Sequence, residues 1–140
     1  MTSTNSLFDK LEGSKLTQVC FVHDYIQLVF QDNGGSIYNP LTVIQKNQFL
    51  KKGDLGYADS LVDHIGLKII KVRYSEEEVV VFSFENGTGF SVSLRPEDYS
   101  ECPEAVSFEI DKDLIKASMG INEIKNLSFK IKSILWHGVC

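Results

Sequence analysis

The chain has 140 residues, enough for one domain with its own hydrophobic core. With 43% hydrophobic residues, 24% charged and three prolines, it falls outside the disordered and fibrous classes. A formal charge of −5 argues against general nucleic-acid binding, which needs a basic footprint to displace counterions, and suits a basic protein partner.

The first residues, "MTSTNSLFDKLEG", lack the basic and apolar regions of a secretory leader. No stretch approaches the eighteen or so uninterrupted apolar residues of a membrane span. Cys20, Cys102 and Cys140 are widely spaced and odd in number, which reads as reduced thiols. Together these features predict a cytoplasmic protein with no membrane association.

A duplication follows, between residues 13–38 and 66–92. Gly13, Lys15, Leu16, Val19 and Phe21 match Gly66, Lys68, Ile69, Val72 and Tyr74. Ile26, Leu28 and Phe30 match Val80, Phe82 and Phe84, and Asp32-Asn33-Gly34 is echoed by Glu85-Asn86-Gly87. One residue is gained in the first turn and one lost in the second. Each copy reads as three antiparallel strands with alternate residues facing inward. Asn33-Gly34 and Asn86-Gly87 predict type I′ hairpin turns, whose two central residues need positive φ.

Between the copies, Leu41 to Ile44 reads as a strand and "QKNQFLKKGD" as a loop. "DLGYADSLVDHIG" reads as a short helix closed by Gly66, with Leu55, Leu61, Val62 and Ile65 as its apolar stripe. After Pro103, "AVSFEI" predicts a strand. "DKDLIKASMG" predicts a helical turn or two capped by Asp111, within a segment, 111–126, of unassigned role. Residues 127–136 read as a last strand or a helix. The expected architecture is one α+β domain over 1–140, mainly antiparallel β: two duplicated three-stranded meanders with one or two short helices.

Candidate chemistry is sparse. Cys20-x-x-His23 and His137-x-x-Cys140 mirror each other, but residues three apart on a strand point to opposite faces and cannot chelate together, so no metal is expected. No nucleophile elbow or phosphate loop occurs, and the glycines fall at hairpin turns, so no catalytic residues and no cofactor are expected. His23 and His64 become catalytic only if carboxylates converge on them in one cleft. Acidic residues gather in turns, at Asp24, at Glu76-Glu77-Glu78 and at Glu97-Asp98, where they suit a rim that steers a basic partner. Tyr25 and Tyr99 beside those turns are the candidate anchors.

The run "FSVSLRPEDYSECPEAV" turns a strand into a Pro96 corner, with Arg95 placed to pair with Glu97, Asp98 or Glu104. It resembles an uncharacterised family of small bacterial proteins in which a strand ends in Ser-Leu-Arg-Pro-Glu-Asp-Tyr and Pro-Glu-Ala follows. Here these are residues 93–99 and 103–105. The likeness is close over 84–108 and looser over 11–108; Trp136 lies later than the family's final Trp. Small acidic duplicated β proteins of this kind are similar to bacterial immunity proteins. That likeness implies a non-enzymatic protein that caps and neutralises a toxin domain, plausibly a basic nuclease. The alternative is a small-molecule-binding or regulatory β domain, which a deep apolar pocket between the copies would favour.

Overall fold

The computed structural model describes residues 8–31, 33–99 and 104–110 in full and the backbone of 113–118. Among the described residues, ten strands form two five-stranded antiparallel sheets. Strands β1 (Leu16–Val22), β2 (Tyr25–Phe30) and β3 (Gly34–Ile37) continue into β9 (Glu104–Ile110) and β10 (Asp113–Ser118). Strands β6 (Ile69–Ser75), β7 (Val79–Phe84) and β8 (Gly89–Ser93) continue into β4 (Leu41–Ile44) and β5 (Phe49–Leu50). The single short helix among the described residues, α1, spans Tyr57–Val62.

The expected meanders are β1-β2-β3 and β6-β7-β8, but the repeat is longer than three strands. Each meander is followed by a hairpin, and each hairpin joins the other copy's sheet: β4 pairs with β8, and β9 with β3. The two copies are therefore interlocked by exchange. The hairpins were missed because β5 has only two residues and lies in a stretch that reads as loop. Residues 113–118, expected as a helical turn, instead pair with β9 as strand β10. The segment 127–136 lies outside the described residues.

The repeat also extends backwards. With Gly13 aligned to Gly66, the 3-10 turn Asp9–Leu11 that opens the first copy matches the end of α1. Phe8 then corresponds to Leu61 and Leu11 to His64. Both copies carry a bulge at the same place, after Leu16 and after Ile69. The extra residue puts Leu16 and Val19 on the inner face three apart, and likewise Ile69 and Val72, where an unbroken strand would alternate. Ahead of the bulges, residues 13–16 and 66–69 pair across the copies. The Leu16 N–H donates to the Leu67 carbonyl at 3.0 Å and the Ile69 N–H to that of Ser14 at 2.9 Å.

The predicted type I′ turns are absent. Neither Asn33 nor Gly34 has positive φ, and Gly34 is already the first residue of β3. At the second site Gly87 alone turns left-handed, at φ 87°, so Glu85-Asn86-Gly87 is a three-residue loop. Structural equivalence also shifts by one. A side-chain oxygen of Gln31 accepts from the Lys15 N–H at 3.3 Å, and one of Glu85 accepts from the Lys68 N–H at 2.8 Å. Gln31, and not Asp32, is thus the counterpart of Glu85. Serine pairing agrees, since Ser36 faces Gln27 and Ser91 faces Val81. The second turn therefore gains a residue.

One continuous core lies between the sheets, and both supply it. Phe82 and Phe108 face each other from opposite sheets with ring centroids 5.7 Å apart, and Phe8 packs on both. The expected helix stripe is wrong. Leu61 is buried, but Leu55 is 99% exposed, and Val62 and Ile65 are also exposed. The buried face is Tyr57, Ser60, Leu61 and His64, a helical i, i+3, i+4, i+7 set whose polar members hid it.

The β6–β7 turn holds the one non-glycine residue with positive φ among those described, Glu77 at 61°. Holding a side chain there costs about 1–2 kcal/mol. Glu77→Gly is expected to raise the unfolding free energy by about 1 kcal/mol, net of the entropy glycine gains when unfolded. An unchanged or lower urea midpoint would show that this turn is unstrained.

Candidate functional site

The two chain crossings between sheets meet at one end of the molecule. Strands β3 and β4 are joined through Tyr38-Asn39-Pro40. Strand β8 leaves through Leu94 and the Pro96–Asp98 3-10 turn towards β9. The N–H groups of Tyr38 and Asn39 both donate to the Ala105 carbonyl, at 2.8 and 3.2 Å. The Asn39 side-chain amide donates to the Ser93 carbonyl at 2.8 Å, and Asn39 is 5% exposed. One buried asparagine thus ties both crossings together. The β1–β2 and β6–β7 turns flank this end, because Ile26 is in register with Ile37 and Val79 with Ser93.

Two open grooves lie here, sharing Pro40, Leu41, Lys52 and Asp98. The first, about 470 Å³, is walled by Phe21, Val22, Tyr25 and Tyr38 and carries Asp24 and Asp98. The rings of Tyr25 and Tyr38 are tilted by 48° with centroids 5.2 Å apart. The second, about 520 Å³, runs over Thr42, Ser91 and Ser93 and carries Lys51, Arg95 and Glu78.

Phe21 is 52% exposed, although its counterpart Tyr74 is mostly covered. The two copies also differ in what precedes each. Phe8 stacks on Tyr74 at 5.8 Å, whereas the counterpart of Phe8 is the shorter Leu61. The first copy leaves an aromatic face open where the second has closed its own. Burial, then the nearby carboxylates of Glu76 and Glu77, push the Tyr74 hydroxyl above its usual pKa, so it stays neutral.

Of the expected partner-binding residues, Asp24, Tyr25 and Asp98 line the first groove and Glu78 with Asp98 the second. Glu76 and Glu77 share the turn of Glu78 and are exposed, as is Glu97 beside Asp98. Tyr99 is half-buried and packs against the core. The corner is held by the Ser93 hydroxyl, which donates to the Asp98 carboxylate, so it is Ser93 that engages Asp98. Phe21, Val22, Tyr38 and Lys52 were missed. The mismatch between Leu61 and Phe8 was the available signal for Phe21; nothing in the sequence marks the other three.

The two described histidines lie far apart, and of the two it is His23 that shares the first groove with the carboxylates Asp24 and Asp98. His23 is 95% exposed in the β1–β2 turn, 3.5 Å from the Asp24 carboxylate. His64 is buried at the other end of β1, where the neighbouring Gly66 N–H donates to the Leu16 carbonyl at 2.7 Å. A seven-residue strand separates them, roughly 20 Å at the usual rise. His64 Nδ1–H donates to the Ser60 carbonyl at 2.6 Å, and Nε2 meets the Thr88 hydroxyl at 2.7 Å. Burial lowers its pKa; the hydrogen bond to Ser60 and the exposed Asp63 carboxylate pull weakly the other way. Tyr57, whose hydroxyl donates to the Leu41 carbonyl at 2.7 Å, is pushed up to about 12 by burial. Both groups act as struts joining α1 to the second sheet.

Cys20 is a free, half-buried thiol on β1, while His137 and Cys140 lie outside the described residues. Among the described residues no three His, Cys, Asp or Glu side chains gather as metal ligands. No described helix is long and apolar enough to cross a membrane. No family model matches the chain, and no curated protein or solved structure matches it closely enough to establish kinship.

Proposed function

We propose that this chain is a non-catalytic binding protein whose crossing end caps a basic protein partner, and that the partner is a bacterial toxin domain the protein neutralises in the cytoplasm. One observation carries the reading. Aromatic surface at the exposed Phe21 and the half-buried Tyr25 and Tyr38 coincides with carboxylates on separate turns, Asp24, Glu78 and Asp98. Apolar anchors ringed by charge are the anatomy of a protein interface: the anchors hold, and the rim sets on-rate and choice of partner. The net charge of −5 favours a basic partner. A small-molecule reading would need an enclosed apolar pocket between the copies. That space is filled by Phe8, Phe82, Phe84, Phe90 and Phe108, each fully buried.

The test is co-expression with the toxin domain encoded beside this chain. A co-eluting complex and rescued growth are expected. Asp24→Lys combined with Glu78→Lys should slow association by about tenfold or more at low salt, with the effect shrinking as salt rises. Absence of both complex and protection would overturn the reading.

A further inference from the structure

We infer that the first groove is a receptor for an arginine side chain of the basic partner; this rests on the reading above and names the chemistry it recognises. The groove offers three features together. The tilted rings of Tyr25 and Tyr38 present aromatic surface at its wall. Asp24 and Asp98 supply carboxylates from different elements, the β1–β2 turn and the Pro96–Asp98 corner. The Asp98 carboxylate is oriented by the Ser93 hydroxyl, whose oxygen in turn accepts from the Arg95 N–H at 3.3 Å, so it is fixed before a ligand arrives. The space, about 470 Å³, accommodates an extended side chain.

A guanidinium group matches this set better than an ammonium. It is planar and weakly hydrated, so it stacks on tyrosine faces, and its fork of N–H donors engages carboxylates two at a time. A lysine ammonium is a strongly hydrated point charge and uses only the carboxylates. The stem of an arginine would also cover the exposed apolar surface of Phe21 and Val22. Lys52 lines the groove and opposes such a ligand, and His23, also in the lining and 3.5 Å from the Asp24 carboxylate, is the side chain that ligand would displace there.

The probes are hexa-arginine and hexa-lysine peptides, titrated by calorimetry into the full chain at low and physiological salt. Hexa-arginine is expected to bind at least fivefold more tightly than hexa-lysine, with the preference surviving at higher salt. Tyr38→Leu keeps an apolar contact but removes the ring face, and should erase the preference. Asp98→Asn should weaken hexa-arginine at least fivefold, while Lys52→Gln should strengthen it. Unfolding midpoints of the variants show whether each is folded. Equal binding of both peptides, or a preference that Tyr38→Leu leaves intact, would overturn the inference. A toxin complex that forms undisturbed by Tyr38→Leu would sink the arginine receptor and spare the wider reading. Loss of the toxin complex altogether, with the peptide preference intact, would do the reverse.

Discussion

Replacing Phe108 with alanine is expected to lower the unfolding free energy by about 3–5 kcal/mol, and Gly35→Ala by about 1–3 kcal/mol. The two residues face each other across β3 and β9, and a Cβ on Gly35 would overlap the Phe108 ring. The ring therefore occupies the space where a side chain on β3 would be. It also touches Phe8 and Phe82, so its removal leaves a cavity bounded by both sheets and the N-terminal turn. At the equivalent position of the other sheet the sizes are reversed, with Phe90 on β8 facing Val43 on β4. Each exchanged hairpin thus meets its host strand through one large and one small partner. The Gly35→Ala, Phe108→Leu double variant should cost less than the sum of its parts, because the smaller side chain makes room for the new methyl group. Urea denaturation of Gly35→Ala, Phe108→Leu and their double gives that coupling, and strict additivity would show that the ring does not depend on the glycine.

This pair also explains how far the fold could be read from sequence. The meanders were legible because Leu16, Val19, Ile26, Leu28 and Phe30 recur as Ile69, Val72, Val80, Phe82 and Phe84 and set the inner face of each strand. A face pattern does not name the neighbouring strand. Nothing in "LTVI" or "AVSFEI" says that each belongs beside the other copy's meander; that choice is made by pairs such as Gly35 with Phe108, which are distant in sequence. The Asn-Gly signal failed because turn chemistry depends on where the dipeptide falls relative to the closing pair. Gly34 is one residue too late to be in the turn, and Asn86 leaves Gly87 to take the left-handed position alone.

The candidate site was legible in the same partial way. Carboxylates in turns are exposed wherever the strands go, so Asp24, Glu78 and Asp98 could be picked as surface groups. Their gathering at one end was not legible, because it results from the exchange that brings β3, β4, β8 and β9 to one crossing. Phe21 sits on the inward period of its strand and reads as core. It is exposed, whereas its counterpart Tyr74 is covered by Phe8, whose own counterpart is the shorter Leu61; that contrast is visible only once the helical turns are recognised as parts of the repeat.

His64 holds the position that Leu11 holds in the first copy, and it should make stability fall as the solution is acidified. The imidazole is 3% exposed and packs on Phe84 and Phe90, with ring centroids 4.9 and 4.7 Å away. Its Nδ1–H is committed to the Ser60 carbonyl, so the neutral ring receives the Thr88 hydroxyl at Nε2. That hydroxyl has one hydrogen and a second acceptor, Asn86 Oδ1 at 2.6 Å. Protonating Nε2 would release it to Asn86, a gain of one hydrogen bond against the desolvation of a cation. Asp63, the carboxylate that favours the cation, is exposed and screened, so burial prevails and the folded pKa lies below the ordinary imidazole value of 6.5. The sign follows from proton uptake. Below pH 6.5 the unfolded chain binds a proton that the folded chain resists, so stability present above that pH is lost until the folded pKa is passed. For this single proton the slope stays below about 1.4 kcal/mol per pH unit. His64→Gln should flatten the profile between pH 7.5 and about 5.5, where carboxylates of ordinary pKa (about 4) stay ionised. His64→Ala should also cost stability at neutral pH, because an orphaned buried partner loses about 1–3 kcal/mol. A wild-type profile that rises on acidification would mean that the hydrogen-bond chain to Asn86 outweighs burial, and that this histidine is charged inside the fold.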